Sequence, residues 1–255
     1  EELSGLNGLR DQLKAETELV VLFGDAIKGE RVNELVAFGD SLGIPVKYVC
    51  LVDYSNSRGA MDMGLLPDLL PGYRPVSETG LRPGMALPEM LEACDLDVLW
   101  VVGANPLRHR KLAARNPFIV VQEMFLTETA LAADVVLPAA SAYEKTGTVT
   151  NVCGEVQRLK TALRTVGTKQ DLEILELIAR QMGVRLGSWT PADVFEEIRK
   201  VVPGYNVAVS ALDVGGAART ASPNGRIRLA SRPELIQSAR DTLFTSGTLG
   251  RYSET

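Results

Sequence analysis

Few side chains in this sequence are of the types that carry out nucleophilic, acid–base or metal chemistry. There is one histidine, His109, and there are three widely separated cysteines, Cys50, Cys94 and Cys153. No two cysteines have the close spacing of a zinc ribbon or an iron–sulfur cluster, so we predict no metal site in this chain. His109 lies among cationic neighbours, which lower the basicity of an imidazole, and we predict no catalytic residue.

The turn at residues 24–30 is the nearest match to a phosphate-binding loop. It has two glycines at the spacing of that loop, but Lys28 comes before the second glycine and Glu30 occupies the position of the phosphate-binding lysine. A carboxylate in that position would repel a nucleoside triphosphate. We therefore interpret this turn as a flexible connection between a strand and a helix, not as a site of nucleotide hydrolysis.

Two polar groups follow a predicted strand that ends at Val102. The first is the run GANP at residues 103–106, in which Gly103 lets the backbone approach a ligand and Asn105 can hydrogen-bond a base or a ribose. The second is the basic segment at residues 108–111, which is either a solvated loop or a site for an anionic ligand or an acidic partner. Ligands of open α/β sheets bind at the carboxyl ends of the strands, where both groups are predicted to lie.

The elements that would position these groups alternate between strands and helices. Five short, mostly apolar runs are typical of parallel strands buried on both faces, and they lie at residues 19–23, 46–52, 97–102, 118–122 and 134–137. Helical patterns lie between several of them. This alternation predicts an α/β fold with a doubly wound, Rossmann-like, mostly parallel sheet and helices on both faces. The long irregular stretch at residues 53–88 is expected to be functional or to cover other elements.

The sequence changes character after Pro138. A turn with a β-rich crossing, two helices and a short strand are predicted in that order, at residues 144–151, 170–182, 191–201 and 207–212. We therefore predict two domains. The first is an α/β domain at residues 1–185, and the second is a smaller, mixed C-terminal region at residues 186–255.

Composition excludes several classes of protein. The chain has 255 residues, of which 45% are hydrophobic and 23% charged, as is typical of a globular protein. Its 27 basic and 32 acidic residues give a net charge of −5, so we predict no nucleic-acid partner. No secretory signal is recognised, and no apolar run approaches the roughly 18 residues that span a bilayer. We expect a cytoplasmic chain, with reduced cysteines and no direct membrane insertion.

Two neighbouring motifs resemble the molybdopterin oxidoreductase superfamily. They are TALAADVVLPAA at residues 129–140 and EKTGTVTN at residues 144–151. The GANP tip and residues 56–64 also follow that family's order of features, so the resemblance covers residues 19–185. Within the superfamily, the chain resembles the carboxyl-terminal part of the large iron–sulfur subunit (the G subunit) of the bacterial NADH–quinone oxidoreductase (complex I). Residues 243–254 are similar to the late segment of that large iron–sulfur subunit.

The resemblance implies that this chain is a fragment of such a large iron–sulfur subunit. In that family the iron–sulfur clusters, and the residue that would ligate molybdenum, lie upstream of the matching region. The chain is therefore expected to hold no cofactor, while its parent holds FMN and iron–sulfur clusters. Its role would be a structural scaffold in electron transfer from NADH to quinone. Its partners would be other complex I subunits and the upstream iron–sulfur part of its own chain, in the peripheral arm at the inner face of the plasma membrane.

Two other interpretations stay open at this point. In the first, the chain is part of a catalytic enzyme of the formate dehydrogenase or nitrate reductase type, and a molybdopterin guanine dinucleotide binds at the carboxyl edge of the sheet. The residues that would line that site are Gly103, Asn105, Asp134, Thr148 and Asn151. In the second, the chain is an unrelated Rossmann-like binding domain.

One departure from the family pattern argues against a bound dinucleotide. Where the family reads TNxEGRxQ, this chain reads TNVCGEVQ, with Cys153 at the glutamate position and Glu155 at the arginine position. An arginine suits a phosphate, and a glutamate in its place reverses the charge. In this interpretation Thr148 and Asn151 only satisfy backbone groups of a local turn.

Overall fold

The computed structural model describes residues 7–24, 26–27, 29–52, 54–108, 110–164, 166–187, 190–213 and 216–220. Lys28, His109 and residues 243–254, on which predictions were made, lie outside the described residues.

Helices and strands alternate along most of the described chain. The helices are α1 (Asn7–Lys14), α2 (Glu30–Asp40), α3 (Ser57–Asp62), α4 (Leu87–Glu92), α5 (Glu128–Leu131), α6 (Asp171–Gln181), α7 (Pro191–Val201) and α8 (Val209–Asp213). The strands are β1 (Leu19–Phe23), β2 (Val46–Cys50), β3 (Leu69–Leu70), β4 (Arg74–Pro75), β5 (Val98–Val102), β6 (Phe118–Glu123), β7 (Val135–Pro138), β8 (Gly147–Thr150), β9 (Glu155–Leu159) and β10 (Ala217–Arg219).

Strands β1 and β2 form a two-stranded parallel sheet in which Leu19 lies opposite Val46. Helix α2 packs closely on this sheet because Gly39 leaves room for the Tyr48 side chain; a Cβ atom at residue 39 would overlap the Tyr48 hydroxyl oxygen. That hydroxyl donates to the backbone carbonyl of Val36 (3.3 Å). These contacts hold α2 on one face of the sheet.

Strands β5, β6 and β7 form a second parallel sheet, in that order. One face of this sheet packs with α5 into a core made of Leu99, Val101, Ile119, Val121 and Ala130. The opposite face carries exposed apolar side chains, which are Val98, Trp100, Val102 and Phe118, at 55%, 38%, 51% and 50% exposure. Within the described part of the chain, this sheet is therefore covered on one face.

The third sheet is antiparallel, with the order β10–β9–β8. Strands β8 and β9 form a hairpin, and β10 pairs with the outer side of β9. Helices α7 and α8 cover this sheet, and the buried core between them consists of Val156, Phe195, Val202, Tyr205, Val207, Leu212 and Ala218. This core draws on residues from both sides of position 185, where the division into two domains stays a prediction.

The structure confirms a mixed α/β chain with parallel sheets. All five predicted parallel strands are present, within two residues of the predicted bounds. The strand predicted at residues 207–212 is wrong, because α8 occupies most of it and its helical turn buries Leu212 against β9 and β10. The parallel strands of the described residues form two sheets, so the single doubly wound layer stays a prediction. None of the helices in the described ranges has the length and apolar character needed to cross a membrane.

Candidate functional site

The tip of β5 lies at the carboxyl edge of its parallel sheet, as predicted. The Gly103 N–H donates to the Gln122 carbonyl (2.9 Å), and Gly103 has a φ of 60°, which favours glycine. A Cβ atom added to Gly103 would meet no described atom within 4 Å. The backbone of this tip is therefore open to the approach of a ligand.

The Asn105 side chain ties this tip to helix α5. Its Oδ1 accepts from the N–H (3.1 Å) and the hydroxyl (2.7 Å) of Thr129, and its Nδ2 donates to Glu128 Oε2 (2.6 Å). The Thr129 hydroxyl oxygen accepts in turn from the Leu107 N–H (3.1 Å). Both ends of the Asn105 amide are thus engaged within the chain, and a base or a ribose would have to displace these partners.

Asp134 does not lie at this edge. Its N–H donates to the Ile119 carbonyl (2.9 Å), and its Oδ2 accepts from the Ile119 N–H (2.7 Å). Ile119 is near the start of β6, whereas Gln122, which contacts Gly103, is three residues further along the strand, a rise of roughly 10 Å. The prediction that Asp134 lines the carboxyl edge is wrong, because residue 134 precedes β7 and lies where the parallel strands begin.

Thr148 and Asn151 belong to the β8–β9 hairpin. The Asn151 Oδ1 accepts from the N–H groups of Cys153 and Glu155 (3.0 Å each), and its Nδ2 donates to Glu155 Oε2 (2.9 Å). Thr148 is half-buried in β8, opposite Arg158. Glu155 is therefore the partner of Asn151 in closing the turn.

The structure does not bring all five predicted residues to the carboxyl edge of one sheet. Gly103 and Asn105 share a strand tip, Thr148 and Asn151 share a hairpin, and Asp134 lies at the opposite end of the sheet. Since both asparagine amides are already hydrogen-bonded, these residues as arranged do not fit a molybdopterin guanine dinucleotide. Among the described residues, no group of three or more His, Cys, Asp or Glu side chains is arranged to hold a metal ion.

Two buried polar residues at the end of β6 were missed by sequence reasoning. Gln122 and Glu123 are 1% and 4% exposed. The Gln122 Nε2 donates to Asp171 Oδ1 (2.6 Å), and Glu123 Oε1 accepts from the Met124 N–H (2.7 Å). Within the described ranges, Gln122 Oε1 and Glu123 Oε2 have no hydrogen-bond partner, which is rare for buried acceptors. The sequence feature that could have identified them is a pair of polar residues at the end of an otherwise apolar strand.

A second missed cluster surrounds Asp62 at the end of α3. Asp62 is 6% exposed, and its carboxylate accepts from the hydroxyls of Tyr73 (2.5 Å) and Tyr205 (2.7 Å). The Arg58 Nε lies 3.6 Å from Asp62 Oδ2. Because the Tyr205 proton is committed to the carboxylate, the Thr150 hydroxyl donates to the Tyr205 oxygen (2.8 Å). We call these five residues the Asp62 cluster; they are spread along the chain, and no single motif contains them all.

A small cavity lies beside the Asp62 cluster. Its lining includes Arg58, Asp62, Tyr73 and Tyr205 of the cluster, together with Gly72, Val202, Pro203 and Thr220. The cavity therefore lies where four parts of the chain meet: α3, the turn between β3 and β4, the segment that follows α7, and the end of β10.

Alkaline pH is expected to destabilise the protein through Tyr73 and Tyr205. Burial, and the hydrogen bond to the Asp62 carboxylate, raise the pKa of both phenols above their ordinary value of about 10. The folded state then keeps protons that the unfolded state releases. Stability is fully present below about pH 10 and falls above it, by up to about 1.4 kcal/mol per pH unit for each tyrosine.

Urea unfolding measured between about pH 8 and pH 11 checks this expectation. The double variant Tyr73→Phe, Tyr205→Phe should show a weaker decline of the free energy of unfolding above about pH 10. A decline as steep as in the unmodified chain would show that other groups cause it.

The parallel sheets and the helices between their strands place this chain in the α/β class of proteins. The chain belongs to the molybdopterin oxidoreductase family, whose model matches residues 11–181. The interpretation as an unrelated Rossmann-like binding domain is therefore wrong.

Three relatives illustrate the range of this family. The G 2 subunit of NADH-quinone oxidoreductase from Rhizobium meliloti is 33% identical over 261 residues, which cover 89% of this chain and 30% of that protein. The F420-dependent formate dehydrogenase subunit alpha of Methanocaldococcus jannaschii is 38% identical over 175 residues, covering 59% and 26%. A putative formate dehydrogenase of Bacillus subtilis is 34% identical over 175 residues, covering 59% and 18%. The chain thus spans 30% or less of the length of each of these relatives.

Proposed function

We propose that this chain is the α/β region of a protein like the large iron–sulfur subunit of NADH–quinone oxidoreductase, and that it contributes a cofactor-free scaffold to electron transfer from NADH to quinone. The observation that carries the proposal is the Asn105 amide, both ends of which are held by α5. An asparagine engaged in this way stabilises the strand tip, and it would have to give up these partners to bind a base. The Asn151–Glu155 pair supports the same conclusion at the hairpin.

The extent of the similarity also supports this proposal. The match to the Rhizobium meliloti NADH-quinone oxidoreductase subunit covers 89% of the chain, whereas the match to the formate dehydrogenase subunit, although 38% identical, covers 59%. The similarity to the quinone oxidoreductase subunit therefore extends over more of the chain than the part shared with formate dehydrogenases. Under this proposal the partners are other subunits of the complex and the iron–sulfur part of the same polypeptide. The location is the cytoplasmic peripheral arm at the inner face of the plasma membrane.

We also propose that β1 and β5 belong to one doubly wound layer. Among the described strands, each is an outer strand of its parallel sheet. Each also carries apolar side chains on an open face, including Val20 and Leu22 of β1 at 51% and 65% exposure. Apolar residues on both faces are typical of strands that helices cover on both sides.

A second candidate function is that of a catalytic enzyme with a molybdopterin guanine dinucleotide, and Gln122 and Glu123 favour it. The unpartnered oxygens of these two residues are acceptors, and the edge of a guanine carries N–H donors. The bound group would supply the redox chemistry, and these two residues would hold its guanine end. Because both side chains are buried, binding would require the residues that cover them to move.

Titration of the 255-residue chain with GDP, a stable analogue of the guanine end of the dinucleotide, distinguishes the two candidates. The scaffold proposal expects no saturable binding at millimolar GDP in a calorimeter. Micromolar binding that is lost in Glu123→Gln, and kept in the control Glu92→Gln at an exposed helix end, would contradict the scaffold and support the dinucleotide enzyme. A repeat with the isolated pterin dinucleotide extends the test to the whole group.

A further inference from the structure

Helix α3 begins shortly after the carboxyl end of β2. In open α/β sheets, ligands bind at this edge. The helix has only six residues, too few to be stable without tertiary contacts. Its position must therefore be set by what packs against it.

The β8–β9 hairpin supplies the first set of contacts to α3. The Asn56 Oδ1 accepts from the Thr150 N–H (2.8 Å), and the Arg58 Nη1 donates to the Val152 carbonyl (3.1 Å). Gly59 brings the helix close to the hairpin, since a Cβ atom there would lie 3.3 Å from the Thr150 Cβ. These contacts link residues that are more than ninety positions apart in sequence.

Residues 202–207, which follow α7, supply the second set of contacts. Tyr205 is 4% exposed, and its hydroxyl donates to Asp62 at the end of α3 while accepting from Thr150 of the hairpin. Pro203 packs against Gly72 so closely that a Cβ atom at residue 72 would lie 2.5 Å from the Pro203 Cδ. A single phenol thus connects α3, the hairpin and the segment after α7.

Tyr73 completes the arrangement in a strained conformation. Its φ is 63°, in the left-handed region that non-glycine residues seldom occupy. Its hydroxyl reaches the second oxygen of the Asp62 carboxylate (2.5 Å). A strained backbone persists only where surrounding contacts hold it, and here Asp62 and the Pro203–Gly72 contact do so.

We propose that residues 202–207 act as a clasp that holds α3 and the β3–β4 turn against the hairpin through Tyr205 and Asp62. The clasp makes the region after residue 190 control the conformation of residues 56–73. When the clasp is open, Asp62 loses a hydroxyl donor, and the contacts that hold the Tyr73 backbone in its left-handed conformation are weakened. The segment that follows β2 then becomes free to move. This conformational device requires no bound cofactor and is independent of which proposed function is correct.

Hydrogen exchange of the full chain, followed by mass spectrometry, tests the clasp in the variant Tyr205→Phe, which keeps the ring and removes the hydroxyl. The N–H groups of Ala60 and Met63, which donate to the carbonyls of Asn56 and Gly59 at the two ends of α3, are expected to exchange at least about 10-fold faster, the equivalent of losing one net hydrogen bond. The Phe118 and Gly103 N–H groups of the β5–β7 sheet should exchange at the unmodified rate.

Two further variants make the result decisive. Thr150→Val removes the other hydroxyl that bonds to Tyr205 and should also speed exchange in α3, which keeps the test possible if Tyr205→Phe does not fold. Tyr143→Phe changes an exposed tyrosine outside the cluster and should leave α3 unaffected. Unchanged exchange in α3, or the same acceleration in α3 and in the β5–β7 sheet, would overturn the proposal.

Discussion

An Asp62→Ala variant is expected to lose roughly 2–4 kcal/mol of the free energy of unfolding. The substitution removes the acceptor of two tyrosine hydroxyls, 2.5 and 2.7 Å away, and the carboxylate beside Arg58. Hydrogen bonds to a charged group contribute about 1.5–3 kcal/mol each, and a buried donor left without an acceptor carries the cost of its lost hydration. Thr150 remains as an alternative acceptor for Tyr205, which limits the loss.

Urea unfolding of the full chain at neutral pH measures this loss. Asp11→Ala serves as the control, because Asp11 is an exposed aspartate on α1 and its removal should change the free energy by no more than about 0.5 kcal/mol. If Asp62→Ala loses no more stability than the control, then the carboxylate does not organise the Asp62 cluster.

A Gly64→Ala variant is expected to lose roughly 3 kcal/mol or more, from two separate causes. Gly64 has a φ of 74°, a conformation that costs alanine about 1–2 kcal/mol. Its Cβ would also lie 2.6 Å from the Leu70 carbonyl carbon and the Pro71 nitrogen, which are backbone atoms. Backbone atoms cannot rotate away as a side chain can, so the turn between α3 and β3 would have to shift.

Gly43→Ala is the matched control for this second substitution. Gly43 follows α2 with a φ of 72°, and a Cβ atom there would meet no described atom within 4 Å. Its loss of stability should therefore contain only the conformational cost of about 1–2 kcal/mol. Thermal or urea unfolding of both variants gives the difference between their losses of unfolding free energy. Equal losses would mean that the α3–β3 turn accommodates the added Cβ atom with no loss of stability.

Much of the secondary structure could be predicted because a buried strand requires apolar residues close together in the sequence. The runs that became β1, β2, β5, β6 and β7 are short and mostly apolar. The segment at residues 207–212 failed because a short apolar run fits a strand or a helix equally well, and packing on β9 and β10 decided for the helix.

The candidate site could be predicted only in part, for a related reason. Gly103 and Asn105 were placed correctly at a strand tip, since a glycine after an apolar run marks the end of a strand. Asp134 was placed at the wrong edge because the prediction used its motif and not its position before β7. The Asn105 side chain is hydrogen-bonded to Thr129 of α5, and no local sequence pattern connects those two residues.

Residue types and short-range spacing by themselves determined the apolar strand segments, most helices, the mild acidity and the resemblance to molybdopterin oxidoreductases. Tertiary structure alone decided which polar atoms are already satisfied and which are buried without a partner. It also brought together Asp62, Tyr73, Thr150 and Tyr205, which the chain holds up to 143 positions apart. The physical reason is that the apolar pattern of a strand or helix is set by residues that are neighbours in sequence, whereas the hydrogen-bond partner of a polar side chain is set by residues that are neighbours in space.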